Sequence, residues 1–242
     1  MLAAVIGAGL GCGGDAPPPP PREVTPLDQT TTGTITGAVR LDGPAPSMGT
    51  VNFGSFHECS ARHQGAVATG DALVHDGKIE NAFVWIAKGL EERVFAVPSE
   101  PVIIDQQGCL YVPRVAGAQV NQPIQFRNSD RTVHNVHGKP SASRDWNVAL
   151  SRQGSDRTVR VDAAEVPISV RCDLHPWMQG WLGVVDHPYF AVTGPDGTFA
   201  LESVPPGAYT VAVWHERFGR REATVTLEPS GRATVGFELP AR

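Results

Sequence analysis

An all-β chain is predicted by two features: a composition rich in turn and strand formers, and short apolar alternations broken at close intervals. The 242 residues include 26 Gly and 21 Pro beside many Thr and Val, residue types that make tight turns and fit a pleated strand respectively. Phe83 and Trp85 alternate on one face of NAFVWIA, as Ile124 and Phe126 do in QPIQFRN, so each such strand can bury one face in a sandwich. A hydrophobic content of 41% is ample for a core, and the length suits one large or two small domains. The formal charge of −5, with no basic run and no basic–aromatic interleaving, argues against nucleic-acid binding and leaves proteins or small solutes as partners.

Residues 1–12 read as an address rather than a fold. Their apolar run, residues 2–10, is far shorter than the ~20 residues that span a bilayer, and it ends in Gly11 and Cys12. It resembles the end of a bacterial lipoprotein signal, with Gly9 where a Leu is usual, and a removed signal fits better than a membrane span. The resemblance implies that Cys12 becomes a lipidated N-terminus that tethers the body to a membrane leaflet. A secreted protein cleaved later is the alternative. Either way the body is exported, to the bacterial periplasm or cell envelope. Residues 13–32 include five consecutive prolines, which favour extended polyproline II, a semi-rigid spacer.

The folded chain opens with TITGAVRL from Thr34, a strand stopped by Asp42-Gly43-Pro44. Ser55 and Glu58 form a Ser-x-x-Glu cap pattern, so one short helix is expected toward His63, with Cys59 and His63 four residues apart on one face. From residue 81, NAFVWIA, EPVIIDQ, GCLYVPRV, QPIQFRN and TVHNVH read as strands, followed by segments 146–150, 157–161 and 167–172. Trp85 and Tyr111 are expected in the core.

The chemistry concentrates in VRCDLHPWMQGWLG, residues 170–183, where Cys172, His175 and Met178 place a thiolate, an imidazole and a thioether within seven residues. Thiolate and thioether sulfur select Cu(I), imidazole suits either copper oxidation state, and two His, one Cys and a weak axial Met form the donor set of blue-copper sites. Zinc fits less well, since Met is a poor ligand for it. The second imidazole is expected from RTVHNVHG, which offers His134 and His137. Residues three apart on a strand point to opposite faces, so at most one of the two reaches a metal.

CDLHPWM together with the upstream HNVH resembles the copper site of cupredoxins, with the short ligand loop of the amicyanin and plastocyanin kind. The resemblance implies a Greek-key sandwich holding one type 1 copper, with His134, Cys172, His175 and Met178 as ligands and Asn135 bracing the two ligand segments. It implies that His175 presents an edge to solvent and passes the electron, with Pro176 and Trp177 forming the surface on which a redox partner protein docks. Trp177 packing against the core is the equal alternative. If Cys12 belongs to the signal and Cys172 to copper, Cys59 and Cys109 remain as an even pair in an oxidising compartment. A disulfide between them would close a loop of about fifty residues, worth on the order of 4 kcal/mol in the loop-entropy model; a second metal site with His63, and His57 or Cys109, is the competing reading.

The tail carries a second resemblance. PDGTFALESVPPGAYTVAVWHERFG, from Pro195, is similar to the closing strands of carboxypeptidase regulatory-like domains, with turns at Asp196-Gly197 and Pro206-Gly207. Residues 33–189 are accordingly assigned to the copper domain and 190–242 to a smaller sandwich segment. The opening strand, 33–43, also resembles the start of such a domain and can pair with the tail, which would make the copper domain an insertion. His57, His63, His75, His187 and His215 otherwise read as surface or satisfied core residues, and His215, between Trp214 and Glu216 near a strand end, reads as a polar side chain in solvent. Three functions are consistent with these features: an exported, membrane-tethered carrier of single electrons, a periplasmic copper-binding or delivery protein, and a non-redox β-sandwich binding module. None is an enzyme, and no Ser-His-Asp order, paired carboxylates or phosphate-binding glycine loop stands out.

Overall fold

The computed structural model describes residues 23–241, so the expected signal, Cys12 and the first half of the proline spacer, with its five consecutive prolines, lie outside the described residues. Among the described residues the chain is all β, with a single four-residue helix, His57–Ser60. No helix among the described residues is long and apolar enough to cross a membrane.

The strands form two sandwiches. In the first, strand Gly33–Asp42 pairs antiparallel with Thr198–Val204 and Lys78–Ile79, and parallel with Arg232–Thr234 and Phe237–Pro240. Opposite it stands a four-stranded sheet in the order Phe190–Val192, Phe83–Lys88, Gly207–His215 and Gly219–Leu227. Ile35, Val39, Ile79, Val84, Val211, Val213 and Leu239 fill the space between them. Gly197 takes φ +66° at the tail's first turn, whereas Gly207 is not in the left-handed region and opens a strand instead.

The second sandwich lies between these flanks in sequence. One sheet runs Trp146–Leu150, His134–Lys139, Glu165–Arg171, Gln179–Val185 and Val115–Gln119, the last two strands parallel; the other runs Asp156–Val159, Ile124–Asn128, Val102–Gln106 and Tyr111–Val112. Ile104, Phe126, Val136, Leu150, Ile168 and Leu182 form its core. The sheets thus divide the chain differently from a cut at residue 189. Strand 33–42 and segment 83–88 both pair with the tail, segment 74–79 joins the same sheet through strand 33–42, and the second sandwich is inserted between them. A tail of about fifty residues buries too little surface to be stable alone, and the flanks on both sides combine into one sandwich.

Two expected elements differ. GCLYVPRV is two strands: Pro113 has no N–H to continue a ladder, and Tyr111–Val112 and Val115–Gln119 join opposite sheets. The helix is capped by Phe56 without a side-chain bond. Ser55 does not cap it, and it ends before His63, because Phe56 is fixed by packing over the ligand loop rather than by a polar cap.

The sandwiches meet through Phe83, Trp85, Val115, Val185 and Ala212. Gly117 and Gly183 leave room there for the Phe83 ring, which a Cβ on either would strike. Arg114 crosses the junction to Glu216 as a bidentate pair, Nε–Oε1 2.5 Å and Nη2–Oε2 2.8 Å, and donates from Nη1 to Thr69 O at 2.9 Å. His215, beside this pair, is buried at 1% exposure and stacks on Phe218, which corrects its reading as a surface residue. Burial pushes its pKa down to about 4.

Gly183→Ala is expected to lower stability by roughly 1–3 kcal/mol through overpacking against Phe83, measured by denaturant unfolding. His215 is neutral when folded but takes up a proton when unfolded below the ordinary imidazole value of 6.5. Stability should therefore decline as pH falls from 6.5 to about 4 and then level off for this residue, a total of roughly 3 kcal/mol at ~1.4 kcal/mol per pKa unit. His215→Gln should make that slope shallower in unfolding curves taken across this range.

Candidate metal centre

Two antiparallel strands build the site. His134–Lys139 lies beside Glu165–Arg171 with Arg171 opposite His137, so Asn135 faces the start of the loop that follows Arg171. The pleat turns His134 and Val136 into the core and leaves His137 at the sheet's other face, where its Nδ1 meets both Asp173 carboxylate oxygens at 2.9 and 3.0 Å. The loop then folds tightly: Met178 N donates to His175 O at 2.8 Å and Cys172 N to Met178 O at 3.3 Å. These two bonds close the seven-residue turn, in which Cys172, His175 and Met178 are all buried.

Three donor atoms converge. His134 Nδ1 and His175 Nδ1 lie 3.0 Å apart, and Cys172 Sγ stands 3.9 Å from the first and 3.5 Å from the second. Met178 lies in the same apolar cluster as Cys172. As a thiol, Cys172 donates to Asn135 Oδ1 at 3.3 Å. Burial pushes that thiol up, but hydrogen bonds from His134 and His175 and from the backbone at Asn135 and Leu174 outweigh it and bring it down to about 6. A thiolate facing two imidazole nitrogens is a donor set suited to copper, and the residues present fit that ion.

Asn135 joins the two segments. Its Oδ1 also accepts Asp173 N at 2.7 Å, and its Nδ2 donates to Asn147 Oδ1 at 2.8 Å and Asp173 Oδ2 at 2.9 Å. Its carbonyl accepts bonds from Gln106 Nε2 and Tyr111 Oη. Tyr111 is buried, and so is Trp85, which lies in the sandwich junction.

Asp130 is a site residue absent from the sequence reading. It lies in the core at 2% exposure, accepts Gly108 N and Cys109 N, and contacts His134 Nε2 at 3.1 Å. Burial works against the His134 cation, but the Asp130 carboxylate and Cys172 outweigh it and raise that pKa. The carboxylate also fixes which ring nitrogen of His134 turns toward Cys172. Its position four residues before His134, in a turn, was the available signal.

His175 differs most from expectation. It has no solvent-facing edge: it is 2% exposed, covered by Phe56 at a 4.9 Å centroid distance and flanked by Trp177 at 5.3 Å. Pro176 and Leu174 are exposed, while Trp177 is partly buried and donates to Cys109 O at 3.0 Å. The covering segment is tied down by a disulfide between Cys59 and Cys109. His63 stacks on Phe53 and contacts Gly108 O at 2.7 Å; it is not brought to the disulfide as a metal ligand, and His57 is exposed.

No protein-family model matches the chain, and no curated protein does. Among solved structures it is similar to a copper-containing nitrite reductase from Thermus scotoductus SA-01, with 18% identity and TM-score 0.34 over 43% of this chain and 26% of that one. It is also similar to a purple cupredoxin from Nitrosopumilus maritimus, at 18% identity and TM-score 0.30 over 34% of this chain and 98% of that one. A Cu(I) form of an amicyanin variant gives 16% identity and TM-score 0.32 over 42% of this chain and 97% of that one. The chain thus spans about a quarter of the reductase's length and nearly all of the other two.

Asn135→Ala removes the oxygen that receives both Cys172 Sγ and Asp173 N. It is expected to cost about 1–3 kcal/mol, the range for leaving buried polar groups unpaired. Asn147→Ala, at an exposed position, should cost less than 1 kcal/mol by the same denaturant measurement.

Proposed function

We propose that this protein is an exported carrier of single electrons that binds one copper ion through His134, Cys172, His175 and Met178. The observation that carries the reading is the convergence of His134 Nδ1, His175 Nδ1 and Cys172 Sγ at one buried point. Bound there, copper would supply a one-electron couple tuned by the axial ligand and by the hydrogen bonds and apolarity around the thiolate. The chain's part is to hold the donors still. Asn135 ties loop to strand, Asp130 orients His134, and the short turn from Cys172 to Met178 is closed by backbone bonds. Donors fixed in this way need little rearrangement when charge at the site changes, which favours exchange with a partner over turnover of a substrate. The reading is therefore of a carrier, not an enzyme.

The redox partner is a protein that docks around the covered His175. Phe56 at 40%, Val133 at 45% and Leu174 at 47% are exposed apolar side chains on the cap and the two ligand segments, and Pro176 is exposed beside them. Electrons would pass by way of Phe56 and the loop rather than a bare imidazole edge. Lipidation at Cys12 would tether the chain to the cell envelope, with the proline-rich segment as spacer, and the flanking carboxypeptidase regulatory-like sandwich would serve as a scaffold for the inserted copper sandwich. The burial of His175 also favours a second reading, copper binding and delivery, since a capped ligand set retains metal.

A visible absorption titration of the full-length protein with Cu(II) separates these readings. The carrier is expected to show an intense band saturating at about one equivalent, as a single thiolate–copper site requires, with bleaching by reductant, return with oxidant and loss in Cys172→Ser. Absence of the band in a folded protein would contradict the carrier reading and leave delivery.

A further inference from the structure

Beside the proposed copper ligands lie two sulfurs that electron carriage does not use, and they share one ligand, His175, with that site. The Sγ atoms of Cys59 and Cys109 and one ring nitrogen of His175 all lie within 4.8 Å of one another. Cys109 Sγ, an Asp130 carboxylate oxygen and a His134 ring nitrogen form another such group. Both cysteines are buried, at 1% and 0% exposure. The disulfide is thus placed against both imidazoles of the metal centre, a position that closing the loop between residues 59 and 109 does not by itself require.

Other contacts hold its two ends together. His63 meets Gly108 O at 2.7 Å, Trp177 Nε1 donates to Cys109 O at 3.0 Å, and Asp130 accepts Gly108 N and Cys109 N at 2.8 and 2.7 Å. Phe53 and Phe56 both pack edge-on against Trp177, at 5.2 Å. With the S–S bond open, these contacts would still keep two thiols beside His175.

We propose that Cys59 and Cys109, once reduced, form with His175 a second metal site, selective for Cu(I). A small dithiol provides the two electrons: the protein S–S bond breaks, two protein thiols form, and the reductant becomes a disulfide. Cu(I) then binds the sulfurs, whose protons pass to solvent, and its oxidation state does not change. Thiolate sulfur selects Cu(I), whereas sulfurs bonded to each other lack the anionic charge that binds metal. The site therefore exists in one redox state only and would load copper under reducing conditions. It rests on the placement of these three residues, not on the carrier reading.

Full-length protein, reduced anaerobically with dithiothreitol and freed of it by gel filtration, would be titrated with Cu(I) against a chromophoric chelator, beside the oxidised protein. Thiol counts establish the redox state, and near-ultraviolet circular dichroism follows the tertiary fold. Reduced wild type is expected to take up about two equivalents and oxidised wild type about one, the difference being the freed thiolate pair, whose two sulfurs hold the additional Cu(I) while His175 is engaged at the other site. Cys172→Ser, which keeps the disulfide, should still gain an equivalent on reduction, and Cys59→Ser/Cys109→Ser should gain none. Equal uptake by the reduced and oxidised forms of both wild type and Cys172→Ser would overturn the proposal, including where reduction abolishes the tertiary signal. Loss of the visible Cu(II) band alone would bear on the carrier reading and leave this one standing.

Discussion

The antiparallel register of strands His134–Lys139 and Glu165–Arg171 is the constraint on which the site depends. With Arg171 opposite His137, the chain leaving one strand passes the chain entering the other, and Asn135 can bind Asp173 N across the gap at 2.7 Å. A slip of one residue would turn His134 away from the core and bring His137 in. The inner apolar residues, Val136 on one strand and Ile168 and Val170 on the other, hold that register because either strand would otherwise expose them. The convergence of His134, Cys172 and His175 is thus a consequence of ordinary sandwich packing.

Around this register the chain adds two layers of restraint. From beneath, the flanking sandwich supports the inserted one through Phe83 against Gly117 and Gly183 and through the Arg114–Glu216 pair. From above, the segment joined by the Cys59–Cys109 disulfide carries Phe53 and Phe56 onto Trp177, with Phe56 also covering His175. The loop is therefore fixed on both sides. Covering an imidazole with an aromatic ring excludes water without adding charge, so the electrostatic contacts within the site act in a less screened environment.

Local pattern made the strands and the donor set legible. Cys172, His175 and Met178 share one short loop, and alternation identified the inward faces at Phe83, Trp85, Ile124 and Phe126. What local pattern could not show were contacts distant in sequence. Nothing around Phe56 reveals that it will rest on His175, and the Ser-x-x-Glu spacing near it pointed to a cap that packing overrode. His215 looked like a polar residue at a strand end because its burial comes from neighbours such as Phe218, together with the junction formed by Arg114. The partition of the chain was half visible: strand 33–42 resembled a partner for the tail, but the segments at 74–79 and 83–88 carry no mark of which sheet they join. Pro113 did mark the break in GCLYVPRV, through its missing N–H.

Copper K-edge X-ray absorption on the copper-loaded, full-length protein would count the donors at the ion rather than infer them from colour. A coordination shell of one thiolate sulfur at short range and two imidazole nitrogens is expected, with the sulfur contribution lost in Cys172→Ser. A shell of nitrogen and oxygen alone, unchanged by that substitution, would contradict the proposed ligand set.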